Sequence, residues 1–267
     1  MDNRPIGVFD SGLGGLTAVK EIQKRLPHED IIYLGDTARV PYGTRSREVV
    51  TKFSLQDAFF LADQGVKCIV IACNTASSFS YKEVKKKMAI PIFDVIGPGA
   101  ADAVRKSRSN KIGVIGTQGT IASNSYNKAI NKYTPKAKVI NQACPLFVPF
   151  IESGEIRGNL IELLIDKYLK GMRMEKVDTL VLGCTHYPIL EKSLKRFMGR
   201  DVQIVDPAIE LSKRILMFLE KKKLNANKTK IGSIKYFLTD ITPETEKVME
   251  MFLGEKLTGP IKKVNLD

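Results

Sequence analysis

Short runs of β-branched and aliphatic residues alternate along the chain with longer amphipathic segments, and this alternation limits the fold more than any other feature. The predicted strands are Ile6–Phe9, Ile31–Leu34, Cys68–Ala72, Ile92–Val95, Lys111–Ile115, Lys138–Gln142, Thr179–Leu182 and Gln203–Val205. Several are apolar throughout, which is typical of parallel strands buried on both faces. The alternation predicts an α/β fold in which mostly parallel sheets are flanked by helices.

Two of the intervening segments have the period of an amphipathic helix. One helix is predicted from about Ser46 to Gln64, and a second from about Gly158 to Leu169. Their apolar faces are predicted from residue spacing as Val49, Phe53 and Phe60 in the first, and Leu160, Leu163 and Leu164 in the second. The tail is expected to add a helix over 207–223, a strand over 234–238 and a helix over 242–253.

The chain also resembles itself. Ile6–Ser11 is similar to Ile112–Thr117, and Ile69–Thr75 is similar to Leu180–His186, at offsets of 106 and 111 residues. The nearly constant offset predicts two pseudo-symmetric α/β domains that face each other across a cleft holding the active site. Breaks rich in Gly and Pro suggest a first domain of residues 1–97 plus 208–267, completed by the tail, and a second domain of residues 98–207.

Two of the four cysteines lie where chemistry is expected. Ligands bind beyond the carboxyl ends of the strands in α/β sheets, and Cys73 and Cys184 each end an apolar strand and open a predicted helix. The positive end of a helix lowers the pKa of a thiol. Cys68 and Cys144 fit the alternative interpretation of a small buried hydrophobic residue. We therefore predict that Cys73 and Cys184 are the catalytic pair.

Paired thiols suit the inversion of a stereocentre. A single base tends to return the proton that it removed, and so restores the original configuration. Two acid–base groups on opposite faces of the carbon avoid this, because one begins as a thiolate and the other as a thiol. The sequence therefore favours a racemase in which Cys73 and Cys184 exchange roles after each turnover.

Other polar residues follow the same predicted strands. Asp10 is expected either to tune a thiol or to shape the turn before Gly14, and His186 either to tune the second thiol or to hydrogen-bond at a helix entry. Further candidates for holding the substrate's carboxylates and walls are Ser11, Pro41, Tyr42, Gly43, Asn74, Thr75 and Thr185. The loop Gly12–Gly15 lacks the spacing of a nucleotide-binding loop and predicts a tight turn.

Composition excludes several classes of protein. The net charge is +13, but the basic residues lie in helical runs such as Lys85–Lys87 and Lys221–Lys223, without a nucleic-acid-binding motif, so solvated helix faces are expected rather than nucleic-acid binding. No metal site is expected, since there is no CxxC pair and the histidines are His28 and His186. No lysine pattern suggests pyridoxal phosphate. Neither a membrane span nor a secretion signal is present, so a cytoplasmic location is expected.

Four segments carry a close resemblance to bacterial glutamate racemases. They are Phe9–Gly15, Gly35–Gly43, Ala72–Ala76 and Gly183–Pro188, and the resemblance extends over essentially the whole chain. The Cys-Asn-Thr and Cys-Thr-His-Tyr-Pro segments, in this order, are its most specific part.

The resemblance implies a cofactor-independent enzyme that interconverts L- and D-glutamate and supplies D-glutamate for peptidoglycan, and hence for cell-wall growth and shape. It implies that Cys73 takes the α-proton of D-glutamate and Cys184 that of L-glutamate. It implies that the substrate contacts are Asp10, Ser11, Tyr42, Gly43, Asn74, Thr75, Thr185 and His186, joined by Thr117 and Thr120. Asp36 and Glu152 match acidic positions that assist from behind these contacts. A homodimer is expected. Binding of DNA gyrase, a second role of some members, has no support in the sequence.

Members activated by a cell-wall precursor carry an N-terminal extension. This chain starts five residues before its first predicted strand, so no such activation is expected.

Three alternatives remain open at the level of the sequence. An aspartate racemase would use the same paired cysteines with a shorter pocket. A binding module would use the basic surface instead of the thiols. A redox protein would join Cys73 and Cys184 in a reversible disulfide.

Overall fold

A computed structural model describes residues 1–227 and 229–266, which form ten strands and eleven α-helices. The strands are β1 Ile6–Asp10, β2 Ile31–Gly35, β3 Cys68–Ile71, β4 Ile92–Asp94, β5 Lys111–Gly116, β6 Lys138–Ala143, β7 Thr179–Gly183, β8 Gln203–Val205, β9 Ile234–Leu238 and β10 Ile261–Lys263. The helices are α1 Leu16–Arg25, α2 Arg47–Asp63, α3 Asn74–Lys87, α4 Ile96–Lys106, α5 Gln118–Ala122, α6 Ser125–Tyr133, α7 Phe147–Glu152, α8 Asn159–Met174, α9 Glu191–Met198, α10 Pro207–Lys222 and α11 Thr245–Leu253. Short 3₁₀ turns cover Tyr42–Thr44 and Tyr187–Leu190.

The chain divides into two compact units. Unit 1 comprises residues 1–95 and 208–267, and unit 2 comprises residues 96–207. The first division therefore falls at 95/96 rather than at the predicted 97/98. The reason is that Ile96, Gly97 and Pro98 do not form a break but begin α4, where a proline in the first turn removes no helical hydrogen bond.

Each unit contains one parallel sheet. The strand order is β10-β9-β2-β1-β3-β4 in unit 1 and β6-β5-β7-β8 in unit 2, and every strand pair is parallel. The predicted α/β class with parallel sheets flanked by helices is confirmed. Within each sheet, the first strand along the chain lies between the second and the third, so the two units share the same core order.

Burial on both faces explains why the central strands are apolar. All residues of β1, β2, β3 and β7 are buried. Valine and isoleucine suit such strands because their branched side chains pack well on a pleated surface. Phe9, Leu34 and Ile71 from three adjacent strands join one hydrophobic cluster with Val50 and Leu61 of α2.

The predicted helix faces are offset from the observed ones, although Phe53 and Phe60 of the first are half-buried against the core cluster. In α2, Val49 is exposed, and the buried face instead contains Val50, Ser54, Asp57, Ala58 and Leu61. In α8, Leu160 and Leu163 are 56% and 67% exposed, and the buried face contains Ile161, Ile165, Leu169 and Met172. Apolar residues occur around most of the first turns of α8. The spacing of apolar residues over these turns alone therefore did not distinguish the buried face from the exposed one. The helix also continues to Met174, and its last turns determine which face is buried.

No helix in the described ranges combines the length and the apolar character that crossing a bilayer requires.

Candidate functional site

The carboxyl end of β1 leads into a tight turn that contains Asp10. The Asp10 carboxylate is fully buried and accepts a hydrogen bond from the Gly12 N–H at 3.2 Å. The Tyr33 hydroxyl donates to the Gly12 carbonyl at 2.6 Å and so fixes the turn from the neighbouring strand. A Cβ at Gly15 would overlap the Cβ of Asp10, so only glycine fits beside this carboxylate. Asp10 is therefore both a turn residue and a buried carboxyl group at the strand end.

Cys73 follows the adjacent strand, β3, and caps α3. Its Sγ accepts a hydrogen bond from the Ala76 N–H at 3.4 Å, and the thiol lies 3.6 Å from the Ser11 Oγ. The predicted position at a helix N-terminus is thus correct, and the helix stabilises negative charge on this sulfur. Asn74 and Thr75 lie in the first turn of α3 and are buried. These groups lie beyond the carboxyl ends of β1 and β3, which is where α/β sheets bind ligands.

Tyr33 connects these two strand ends. Burial raises the pKa of Tyr33 well above its usual value, and the neighbouring Asp10 and Cys73 raise it further. Its hydroxyl therefore remains a hydrogen-bond donor beside both groups.

The loop after β2 contains Asp36, Pro41, Tyr42 and Gly43. Tyr42 is buried and begins the 3₁₀ turn Tyr42–Thr44, whereas Pro41 is exposed. The Tyr42 hydroxyl hydrogen-bonds to Asp36 Oδ2 and lies 3.0 Å from Asp57 Oδ2. The turn is therefore fixed by contacts between the Tyr42 hydroxyl and two buried carboxyl groups.

In unit 2, Cys184 belongs to a chain of polar side chains. Its Sγ lies 3.8 Å from His186 Nδ1, and His186 Nε2 lies 2.9 Å from Glu152 Oε1. The Thr185 Oγ1 lies 3.5 Å from the same Nδ1. Burial lowers the pKa of His186, but hydrogen bonds to Cys184 and Glu152 outweigh it and raise the pKa to about 10. The imidazole is thus a cation at neutral pH, directly beside the sulfur.

The prediction that Cys184 opens a helix is wrong. After Cys184 the chain forms a 3₁₀ turn, Tyr187–Leu190, and the next helix, α9, begins only at Glu191. The positive neighbour of this thiol is consequently the His186 side chain and not a helix terminus. The likeness of the two cysteine segments extends over the strands but ends at the cysteines themselves.

The remaining predicted residues of unit 2 come after β5. The Thr117 Oγ1 accepts a hydrogen bond from the Thr120 N–H at 3.2 Å and caps α5, and the two hydroxyls lie 3.0 Å apart. Gly183 precedes Cys184 on the adjacent strand, β7, and a Cβ there would lie 2.6 Å from the Ile115 carbonyl oxygen. The threonines and the cysteine therefore lie at the ends of neighbouring strands that are close together.

Cys68 and Cys144 are buried, as expected of core cysteines. Burial raises the pKa of Cys68 to about 12 and raises that of Cys144 well above its usual range. Neither is suited to act as a thiolate near neutral pH. No group of three or more His, Cys, Asp and Glu side chains in the described part of the chain is arranged to hold a metal ion.

Comparison with known proteins agrees with this geometry. The profile of the Asp/Glu/Hydantoin racemase family matches residues 15–213. The chain belongs to this family. A glutamate racemase of Geobacter metallireducens is 46% identical over 99% of this chain and 97% of its own length, and one of Aquifex pyrophilus is 45% identical over 93% and 94%. The chain is therefore an amino-acid racemase, which is an isomerase.

Solved structures of the family have the same fold. The crystal structure of a glutamate racemase from Francisella tularensis, in complex with D-glutamate, superposes with a TM-score of 0.94 at 43% identity and covers 100% of this chain and 99% of its own. The glutamate racemase RacE1 of Bacillus anthracis gives 0.95 at 37% identity, with the same coverage.

Sequence reasoning missed several residues that hold these groups. Arg39 and Thr239 hydrogen-bond to Asp36, and Asp57 lies beside the Tyr42 hydroxyl. Tyr33 supports the Asp10 turn. The available signal for Asp57 was its position one residue before Ala58 and four before Leu61, which places a carboxylate on the apolar face of α2.

Proposed function

We propose that this racemase interconverts L-glutamate and D-glutamate, using Cys73 and Cys184 as its two acid–base groups. The observation that carries the proposal is positional equivalence: each cysteine comes after the third strand of a sheet, and the two sheets share the same core strand order. The names of the relatives and the D-glutamate bound to the Francisella tularensis enzyme support glutamate as the substrate.

In the proposed reaction, Cα of the substrate loses a proton from one face and gains a proton on the other. One thiolate removes the proton from Cα, so the electron pair of the C–H bond remains on the carbon and is delocalised towards the α-carboxyl group. The opposite thiol then gives its proton to the other face, and the two sulfurs have exchanged their protonation states. Following the resemblance, Cys73 acts on D-glutamate and Cys184 on L-glutamate. This requires the two sulfurs to face one carbon from opposite sides.

The neighbours of each sulfur suit these roles. The helix terminus of α3 stabilises a thiolate at Cys73, and the His186 cation stabilises one at Cys184, with Glu152 orienting the imidazole. Asp10 lies in the buried turn next to Cys73. We assign the substrate's charged groups to the backbone and side chains of Asp10, Ser11, Pro41, Tyr42, Gly43, Asn74, Thr75, Thr117, Thr120, Thr185 and His186.

We further propose that the enzyme works without an organic cofactor, in the cytoplasm, as a homodimer, and that its product D-glutamate serves peptidoglycan synthesis. We also propose that the active site lies between the two units.

Solvent-isotope incorporation tests the two-thiol reaction. In D₂O, early product formed from either enantiomer should contain deuterium at Cα, while recovered substrate should contain little. Equal early labelling of substrate and product would indicate a single base and contradict the proposal.

Substitution of the thiols provides the second test. Cys73→Ala and Cys184→Ala should each abolish racemisation while the far-UV circular dichroism stays unchanged. Cys68→Ala is the matched control, because Cys68 begins the strand that Cys73 follows. Retention of racemisation in either catalytic variant would contradict the assignment.

Aspartate is the alternative substrate. Comparing kcat/KM for L-glutamate and L-aspartate distinguishes the two, and a preference for aspartate would overturn the choice of glutamate.

A further inference from the structure

A buried polar cluster lies beneath the turn that begins at Tyr42. It consists of Asp36 and Arg39 from the loop after β2, Asp57 from α2, and the hydroxyl of Tyr42 itself. Both aspartates are completely buried. Buried carboxylates are costly unless hydrogen bonds and charge neutralise them, so the protons in this cluster can be counted.

Arg39 supplies one positive charge, and its guanidinium group lies closer to Asp36 than to Asp57. Its Nε lies 2.9 and 2.7 Å from the two Asp36 oxygens, and its Nη2 lies 3.2 Å from Asp57 Oδ1. Its Nη1 donates to Gln56 Oε1 at 2.6 Å, and the guanidinium carbon lies 4.1 Å from the centre of the Phe53 ring. One guanidinium neutralises one carboxylate, and Asp36 has the closer geometry.

The Tyr42 hydroxyl faces an oxygen of each aspartate, yet a phenol has one hydrogen. Tyr42 keeps that hydrogen, because burial raises its pKa and any negative charge on Asp57 or Asp36 raises it further. If both carboxylates were ionised, one of the two oxygens at the hydroxyl would lack a hydrogen, and the cluster would carry an uncompensated buried negative charge.

A proton on Asp57 resolves both difficulties. Its Oδ2, 3.0 Å from the Tyr42 hydroxyl, can then donate a hydrogen bond, while Oδ1 accepts from Arg39. Burial raises the pKa of Asp57 well above its usual value, and the charges of Asp36 and Asp10 raise it further. The charge of Arg39 and the hydrogen bond with Tyr42 lower the pKa but do not cancel the increase.

We propose that Asp57 is a positioning residue that acts as a neutral carboxylic acid, donating to the Tyr42 hydroxyl and thereby directing the hydroxyl hydrogen onto Asp36. The chain of hydrogen bonds fixes the Tyr42 ring and with it the turn Tyr42–Thr44. Asp36 is itself fixed by a hydrogen bond from Thr239 Oγ1 at 3.0 Å. The hydrogen bond from Tyr42 to Asp36 therefore fixes the position of the turn rather than that of Asp36. The catalytic consequence rests on the proposed function, in which this turn receives a charged group of glutamate.

Asp57→Asn and Asp57→Ala separate a neutral acid from a charged one. An asparagine amide can donate to Tyr42 and accept from Arg39 in the same geometry, so both kcat and KM should stay within about threefold of the wild type. Alanine removes the donor and loosens the turn, so KM should rise about tenfold while kcat changes less. Asp63→Asn and Asp63→Ala are matched controls, since Asp63 ends the same helix and is exposed.

A loss of activity in Asp57→Asn equal to that in Asp57→Ala would overturn the proposal, and so would an unchanged KM in Asp57→Ala. If Asp57→Ala fails to fold, Asp57→Leu replaces it as the variant without a donor, because leucine has the same branched arrangement of heavy atoms as aspartate.

The pH dependence of unfolding tests the proton on Asp57 without any activity measurement. An acid whose pKa is raised on folding stabilises the protein below its unfolded pKa of about 3.9, and this contribution is lost as pH rises towards the folded value. Between pH 5 and pH 7, the unfolding equilibrium constant of the wild type should therefore rise about tenfold per pH unit relative to Asp57→Asn.

If the ratio of the unfolding equilibrium constants of the wild type and Asp57→Asn does not change between pH 5 and pH 7, Asp57 is ionised in the folded protein and the proposal fails. An inactive wild-type enzyme would instead contradict the proposed function and leave this measurement to decide on Asp57.

Discussion

Replacing Lys67 with methionine should destabilise unit 1 strongly. The Lys67 ammonium group is completely buried, and all three of its hydrogens have acceptors. It forms an ion pair with Glu29 Oε2, and it donates to the carbonyl oxygens of Asp2 and Leu224 at 2.9 Å each. The other Glu29 oxygen accepts from the Ala226 N–H at 2.8 Å. One side chain thus joins the segment before β1 to the segment after α10.

The size of the expected loss depends on the groups that methionine would leave without partners. The Glu29 carboxylate would remain buried without its counter-charge, and two carbonyl groups would lose a donor. Removing one partner of a buried ion pair lowers the free energy of unfolding by about 3–5 kcal/mol. For a unit of this size, that corresponds to a fall in Tm on the order of 10 °C.

Urea denaturation followed by circular dichroism measures the loss. Lys67→Met combined with Glu29→Gln should be more stable than Lys67→Met alone, because no buried charge then lacks a partner and the glutamine oxygen still accepts from Ala226. Lys52→Met is the control, since Lys52 is exposed and its loss should change stability by less than about 0.5 kcal/mol. A decrease of less than about 1 kcal/mol for Lys67→Met would refute the reasoning.

Three further outcomes are expected. Glu152→Gln should lower the pKa of His186 from about 10, because a hydrogen bond and a negative charge are removed; an unchanged NMR titration would contradict this. In the wild type, the stability that this pKa contributes is fully present below the unfolded value of about 6.5 and is lost as pH rises from there through about 10. In the variant the contribution should be smaller, and its loss should be complete at a lower pH. Gly183→Ala should destabilise unit 2 by about 1–3 kcal/mol and reduce kcat, because the new Cβ would meet a backbone oxygen at 2.6 Å just before Cys184; an unaltered enzyme would mean that the strand yields freely. Gly171→Ala should instead stabilise α8 by about 0.5–1 kcal/mol in thermal unfolding, since the added methyl meets open space.

The strands could be predicted because both faces of most of them are buried, which leaves uninterrupted apolar runs. Several strands extend one residue further than predicted, ending at Asp10, Gly35, Gly116, Ala143 and Gly183. Polar or small residues mark the end of an apolar run, although the backbone continues its ladder through them. The strand β10 was missed because it is short, carries two lysines and lies at the edge of its sheet.

Helix faces were harder to predict than helices. A helical period is a property of the local sequence, but the choice between two apolar faces depends on which sheet the helix covers. Leu160 and Ile161 are neighbours of similar hydrophobicity, and only Ile161 is buried.

For the site, sequence reasoning found the residues at strand ends, because topology brings those together. Cys184, Thr185 and His186 are consecutive and could be recognised as a group. It did not find Arg39 or Asp57, because their roles depend on how α2 packs against the loop after β2, which residue spacing does not encode.

The order of strands in unit 1 has a consequence for synthesis on the ribosome. The partner of β2 on its outer side is β9, which emerges roughly two hundred residues later, after the whole of unit 2. Unit 2 is continuous in the sequence and can therefore fold while β2 still presents the open edge of an apolar strand. During translation, the unpaired edge of β2 is therefore the place where a chaperone would bind or a second nascent chain would pair.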